Sequence, residues 1–196
     1  LSLIISLSRP CSESQRGDGR LASFDRHIMA LEKKTICPTF THWQRWTECF
    51  SIPQIDLPGV YAIAVSDVDI SGSGFSIRPE IRYFGMTVSK GGLASRLSQF
   101  HGALFGNNGP HGGAWRFKSD YPNPLHAIDK FYVSVARFSC NPTRKAASDL
   151  REMGNVVGFE YLCFADYLEA FGHLPKYNDT KLRPRKYFGI GPNLYF

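Results

Sequence analysis

Three short apolar runs in the chain have the pattern of buried β-strands. Residues 60–65 are a compact apolar run bounded by glycine and proline, and residues 81–85 are a second run rich in aromatic side chains. In residues 131–136, Phe, Val and Val alternate with Tyr, Ser and Ala, which is the period of a strand. Because residues 67–74 are dense in Asp, Ser and Gly, the first two runs are predicted to form a hairpin with a long loop.

Helical spacing appears before and after these runs. Trp43, Trp46 and Phe50 predict a short amphipathic helix over 40–50, and an apolar repeat predicts another over 93–104. Residues 102–113 are rich in glycine and asparagine and are predicted to be a loop. Two late helices are predicted over 143–153 and 158–171, with Gly154 and Gly172 as their C-caps.

These elements predict an α/β (α+β) domain with a small, three-stranded, mainly antiparallel sheet flanked by helices. Residues 1–28, rich in Ser, Gly and Arg, are predicted to be a disordered N-terminal tail or an artefact of the assigned start. Residues 29–57 are then a helical extension, 58–180 the main domain and 181–196 a basic C-terminal tail.

Composition narrows the function classes. The 196 residues contain no apolar run of the roughly 18–20 residues that a membrane span needs, which predicts no membrane partner. Five widely spaced cysteines without a C-x-x-C pair match neither a disulfide framework nor a zinc site, and this favours the cytoplasm. The net charge of +6 favours a polyanionic partner.

Two similar tripeptides stand at the predicted hairpin. Gly59-Val60-Tyr61 opens the first strand and Tyr83-Phe84-Gly85 closes the second. Arg96 lies on the following helix, Glu160 on a late helix, and Asn178 just beyond it. In this order and context the chain resembles the GIY-YIG nuclease superfamily over roughly residues 58–178, with Val60 and Phe84 each in place of an isoleucine.

The resemblance implies a metal-dependent endonuclease that hydrolyses phosphodiester bonds, in DNA in preference to RNA. It makes Tyr61 the candidate general base, Arg96 the phosphate clamp, and Glu160 the ligand of Mg²⁺ or Mn²⁺. Tyr83 and Asn178 become positioning groups, and Gly59 and Gly85 lie beside the substrate. General chemistry agrees, because a guanidinium matches phosphate geometry and a hard carboxylate oxygen suits Mg²⁺.

Helical geometry selects Glu160 among the late carboxylates. At about 100° per residue, Glu160 shares a face with the apolar residues of its helix. Asp166 falls about 120° away and Glu169 about 180° away, so neither is expected to reach a cleft at the sheet.

A histidine and a basic cluster complete the predicted site. Phe100 stands four residues after Arg96, where the family often has His or Tyr, and His101 follows. If Gly102 ends the helix, His101 can turn back as a proton relay. Lys181, Arg183 and Arg185 are candidate contacts to a phosphate backbone, with a solvated tail as the alternative.

Several alternatives stay open. His111 and His126 lie in Gly/Pro-rich segments and are predicted to be exposed, whereas Trp43, Trp46 and Trp115 are predicted to be core or core-edge residues. A catalytically inactive nucleic-acid-binding module of the same fold is the first rival function, and a protein-interaction domain is the second. The sequence does not determine the oligomeric state.

Overall fold

The described part of the protein is built on one antiparallel sheet. A computed structural model describes residues 38–106, 109, 111–144 and 146–178, all within the compact unit Cys37–Phe196. The strands are β1 (Gln44–Arg45), β2 (Gly59–Val65), β3 (Ile81–Thr87) and β4 (Phe131–Arg137). Their order is β1-β4-β2-β3, so β2 is central and β3 lies at an edge.

Three α-helices cover the sheet: α1 (Gly92–Phe105), α2 (Gly112–Asp120) and α3 (Ala147–Phe171). Two 3-10 helices, Trp46–Ser51 and Pro124–Lys130, complete the described elements. α1, α2 and the first 3-10 helix pack on one face, and α3 packs on the other. Among the described residues, no helix is both long and apolar enough to cross a membrane.

The pattern of β2 follows from this two-sided covering. Tyr61, Ile63 and Val65 point to the α1 and α2 face, and the residues between them point to α3. Every residue of β2 is buried, because a strand covered on both faces has no solvent side. The α/β class and the β2–β3 hairpin predicted from the sequence are therefore confirmed.

The number of strands was wrong: four are described, and the additional strand is β1. Gln44 and Arg45 pair with Val133 and Tyr132 of β4. The segment predicted as an amphipathic helix over 40–50 is this strand followed by the 3-10 helix. A two-residue strand has too short a pattern to be recognised, although Trp43 and Trp46 are buried as predicted.

The predicted loop over 102–113 was also wrong. Residues up to Phe105 belong to α1, and α2 begins at Gly112. Gly102 therefore does not end α1. Trp115, predicted to belong to the core or its edge, is exposed on α2.

The two late helices are one continuous helix, α3, and Gly154 is not a C-cap. An interior glycine costs a helix about 1 kcal/mol relative to alanine. Burial of Val156, Cys163 and Tyr167 against the sheet outweighs that cost. Gly172 ends α3 in the left-handed conformation, with φ 74° and its N–H donated to the Leu168 carbonyl, which confirms that cap.

Gly59 is required by packing within the sheet. A Cβ at this position would lie 2.1 Å from the backbone oxygen of Ala136 and 3.0 Å from Leu93. Gly59 is buried between these neighbours. The structure thus explains the first glycine of the tripeptide without any ligand.

We expect Gly59→Ala to lower the free energy of unfolding by about 1–3 kcal/mol, because the backbone of β4 must move to admit the methyl group. Gly74→Ala is the matched control, since a Cβ there meets no atom within 4 Å. Urea denaturation of both variants measures the difference. Equal stabilities would contradict the packing role of Gly59.

Candidate active site at the edge of the sheet

The two tyrosines of the tripeptides meet on the α1 and α2 face of the sheet. Tyr61 lies opposite Gly85 and Tyr83 lies opposite Ile63, so the two rings are diagonal neighbours. Their ring centroids are 6.0 Å apart. Tyr61 is fully buried, whereas Tyr83 retains 9% exposure, so Tyr83 is the phenol nearer to solvent.

Two glycines make room for the two phenols. A Cβ on Gly85 would lie 2.4 Å from the Tyr61 hydroxyl, and a Cβ on Gly113 would lie 2.7 Å from the Tyr83 ring. A tyrosine lying over a glycine of the neighbouring strand shields that glycine's backbone. Because Gly85 has no side chain, the Tyr61 hydroxyl can occupy the space beside it.

Arg96 is the common electrostatic neighbour of the site. It acts on the pKa of Tyr61, Tyr83, His111 and Glu160. Its Nη1 donates to Gln99 Oε1 at 3.2 Å, and its buried Nε has no hydrogen-bond partner among the residues that the structure describes. The guanidinium thus contains a buried donor that no described group satisfies.

A cleft of about 330 Å³ lies beside Arg96. The end of β3 and the following segment line it on one side, and α1 lines it on the other. Its polar lining groups are the hydroxyls of Thr87 and Ser89, the Gln99 amide and the Arg96 guanidinium. These are donors suited to phosphate oxygens.

Glu160 approaches Arg96 from α3, on the opposite face of the sheet. This is possible because β3 is the edge strand, where the two faces meet. Burial raises the pKa of the Glu160 carboxyl to about 7, and Arg96 opposes that rise. Asp166 and Glu169 are exposed on α3, as the helical geometry predicted.

Asn178 holds the edge of the sheet. Its Oδ1 accepts from the backbone N–H of Phe84, and its Nδ2 donates to the Phe84 carbonyl, both at 2.8 Å. The side chain thereby satisfies the outer backbone groups of β3 as a neighbouring strand would. Asn178 positions the strand that carries Tyr83 and Gly85.

His101 does not reach the tyrosines. Because α1 continues past Gly102, the His101 ring stays beside the first 3-10 helix, where its Nδ1 accepts from Trp46 Nε1 at 3.1 Å. The ring also packs against Phe50 and Phe105. The route to the site predicted for His101 was wrong.

His111 reaches the site instead. It was predicted to be exposed, but it is 1% exposed, and its Nε2 lies 2.9 Å from the Tyr61 hydroxyl oxygen. Its Nδ1 caps α2 by accepting the Ala114 N–H at 3.3 Å. His126 is exposed as predicted. His at the N-cap is unusual, and nothing in the local pattern indicated the contact with Tyr61, 50 residues away.

The cap determines which nitrogen of His111 carries the proton. A neutral imidazole whose Nδ1 accepts must carry its hydrogen on Nε2, so His111 donates to the Tyr61 oxygen. Burial, with Arg96 adding to it, lowers the pKa of His111 to about 4 and keeps the ring neutral at pH 7.

The phenols themselves are held in the neutral form. Burial raises the pKa of Tyr61 well above its usual value, and Tyr83 adds to that rise, while Arg96 opposes it. Burial also raises the pKa of Tyr83, again against Arg96. The Tyr83 ring lies beside the rings of Tyr61 and His111, so the three side chains form one buried cluster.

Lys181, Arg183, Arg185 and residues 1–28 lie outside the described residues. Comparisons with protein-family models, curated proteins and solved structures find no match for this chain.

The ionisation of Glu160 is expected to make the protein less stable as the pH rises. Since the folded state raises this pKa to about 7 from 4.5, the folded protein holds the proton more tightly than the unfolded chain. The contribution of the protonated Glu160 carboxyl to the free energy of unfolding is therefore fully present below pH 4.5 and is lost as the pH rises through 7. Glu160→Gln should be more stable than the parent at pH 8 by about 1 kcal/mol, since solvent screens a half-buried charge.

Denaturation curves of the parent and Glu160→Gln from pH 4 to 8 test this expectation. Asp166→Asn is the control on the exposed side of the same helix. A stability difference that does not change with pH would contradict the raised pKa of Glu160.

The two roles of His111 can be separated by substitution. His111→Asn retains a side chain that can cap α2, whereas His111→Ala loses both the cap and the contact with Tyr61. We expect His111→Ala to be the less stable variant by about 1 kcal/mol in thermal or urea unfolding. Equal stability of the two variants would show that the Ala114 contact does not act as a cap.

Proposed function

We propose that the protein is a metal-dependent endonuclease of the GIY-YIG type, acting on DNA in preference to RNA. One observation carries this proposal: Arg96, two phenols and Glu160, from four separate segments, share one electrostatic environment at the edge of β3. A cleft lies beside Arg96, and neither phenol nor Glu160 is among its lining residues. Titratable groups whose pKa values are strongly perturbed and that lie together are typical of catalytic sites.

Arg96 is the proposed phosphate clamp. Its unpartnered Nε faces no competing carboxylate in an ion pair among the described residues, and its charge favours the extra negative charge of a phosphorane-like transition state. Thr87 and Ser89 lie in the same cleft and can donate to the remaining phosphate oxygens.

Glu160 is the proposed ligand of Mg²⁺ or Mn²⁺. The described residues contain no group of three or more His, Cys, Asp and Glu that could hold a metal, so a site at Glu160 would have at most two such ligands from the described part of the chain. Mg²⁺ commonly binds through one or two carboxylates, with water and substrate phosphate as its other ligands. Burial raises the pKa of Glu160, and a cation bound there would oppose that rise by favouring the ionised carboxylate. When bound, the ion would neutralise charge on the phosphate and the leaving oxygen.

Tyr61 is the proposed general base, assisted by two neighbours. Hydrolysis adds water to phosphorus, breaks the P–O bond to the leaving oxygen and releases one proton from the water. Because Tyr61 has no exposed surface, it first loses its own proton to solvent by way of the Tyr83 hydroxyl, the more exposed member of the pair, and the resulting phenolate then takes the proton of the attacking water by the same route. The N–H of His111 donates to the Tyr61 oxygen and favours its deprotonated form.

The experiment is a cleavage assay of plasmid DNA, branched DNA and RNA with Mg²⁺, with Mn²⁺ and with EDTA. We expect Glu160→Gln, Arg96→Gln and Tyr61→Phe each to lower the cleavage rate by at least about 100-fold, as loss of a transition-state contact does. Asp166→Asn and Glu169→Gln, on the exposed side of α3, should retain activity within a few-fold.

Cleavage that survives EDTA, or that Glu160→Gln leaves unchanged, would contradict the metal assignment. Binding without cleavage on every substrate would favour the inactive nucleic-acid-binding module. Salt-dependent binding is expected in either case, because phosphate contacts release counterions.

A further inference from the structure

The outer side of α3 carries an unusual concentration of exposed apolar side chains. Of the nine large hydrophobic side chains exposed in the described part of the chain, five lie on this one helix. Tyr161 is 67% exposed and Leu150 is 59% exposed. Exposed apolar groups that recur along one element indicate an interaction surface.

Four of the five, all except Leu162, lie on a heptad pattern that Gly154 and Phe164 complete. Successive positions are separated by four, three, four, three and four residues, the 3.5-residue period of a helix that packs on another helix. We call this set the outer stripe: Leu150, Gly154, Val157, Tyr161, Phe164 and Leu168. Phe164 is half-buried against Phe84, which continues the stripe to the edge of the sheet.

Gly154 has no role within the described chain. A Cβ built on it meets no atom within 4 Å, and an interior glycine weakens a helix. Close approach of another backbone or a bulky side chain from outside explains a glycine in such a position.

We propose that α3 packs antiparallel against α3 of a second copy of this chain through the outer stripe. The stripe is complementary to its own reversed sequence. With the centre of the pair near residue 159, Leu150 faces Leu168 of the other copy, Val157 faces Tyr161, and Gly154 faces Phe164.

The sizes of the side chains along the outer stripe favour an antiparallel pair of helices over a parallel pair. In the antiparallel pair, the Phe164 ring of each copy fills the space that Gly154 leaves in the other. A parallel pair would place ring against ring and glycine against glycine, and would leave a void at Gly154.

The charged residues that flank the outer stripe also favour the antiparallel orientation. Arg151 and Glu169 are both exposed and are 18 residues apart, about five complete turns, so they lie on the same flank of α3. Antiparallel pairing brings Arg151 of each copy beside Glu169 of the other. The helix dipoles also oppose each other in this orientation.

The first test is the mass of the complete chain in solution, measured by sedimentation equilibrium over about a hundredfold range of concentration. We expect a reversible monomer–dimer equilibrium. A monomer at every concentration overturns the proposal.

Gly154→Leu tests the contact itself. Its side chain enters open space in the monomer, so the melting temperature of the dilute protein should rise by a few degrees while the dimer Kd increases at least about tenfold. Asp166→Leu is the matched control, since it adds the same side chain at an exposed position on the side of α3 opposite the outer stripe and should leave the Kd unchanged. A dimer that Gly154→Leu does not weaken overturns the proposal.

Charge reversal tests the orientation. Arg151→Glu and Glu169→Arg should each raise the Kd by about tenfold, because a symmetric pair contains the contact twice. The double variant should restore the parent affinity. Failure to restore it overturns the antiparallel pairing. All three tests measure association alone, so their results are independent of any nuclease activity.

Discussion

The candidate site depends on two glycines, Gly85 and Gly113, whose lack of a Cβ leaves room for the two phenols. The Tyr61 hydroxyl occupies the place where a residue other than glycine at position 85 would put its Cβ, and Tyr83 has the same relation to Gly113. Interiors are packed so closely that a single methyl group at either position must displace a ring or the backbone. The location of both phenols, and of every group that contacts them, depends on these two close approaches.

The electrostatics of the site follow from that burial. Taking two phenols, an imidazole and a carboxyl out of water favours their uncharged forms, and Arg96 is the charge that opposes this for the phenols and the carboxyl. For His111, burial and Arg96 act in the same direction and hold the ring neutral. The site is therefore a set of groups whose uncharged forms are favoured by burial, with the permanent positive charges of Arg96 and Arg116 beside them.

Helix α3 connects this site to the rest of the surface. Its inner face packs on the sheet through Val156, Cys163 and Tyr167, while Glu160 leaves that face at the sheet edge. The outer stripe runs along another side of the same helix. A single rigid element thus carries a group of the candidate site and an apolar surface that the described chain leaves exposed.

The sequence by itself determined the elements whose patterns are local. Strands β2, β3 and β4 follow from short apolar runs, the C-cap at Gly172 follows from its position after the apolar repeat, and helical periodicity placed Glu160 on the inner side of α3. Tertiary packing alone decided the rest. Strand β1 is too short to have a period and forms because β4 offers it a partner, and α3 continues through Gly154 because the sheet buries its inner face. The contact between His111 and Tyr61 spans 50 residues, and no local pattern records which buried polar group will meet another when the chain closes.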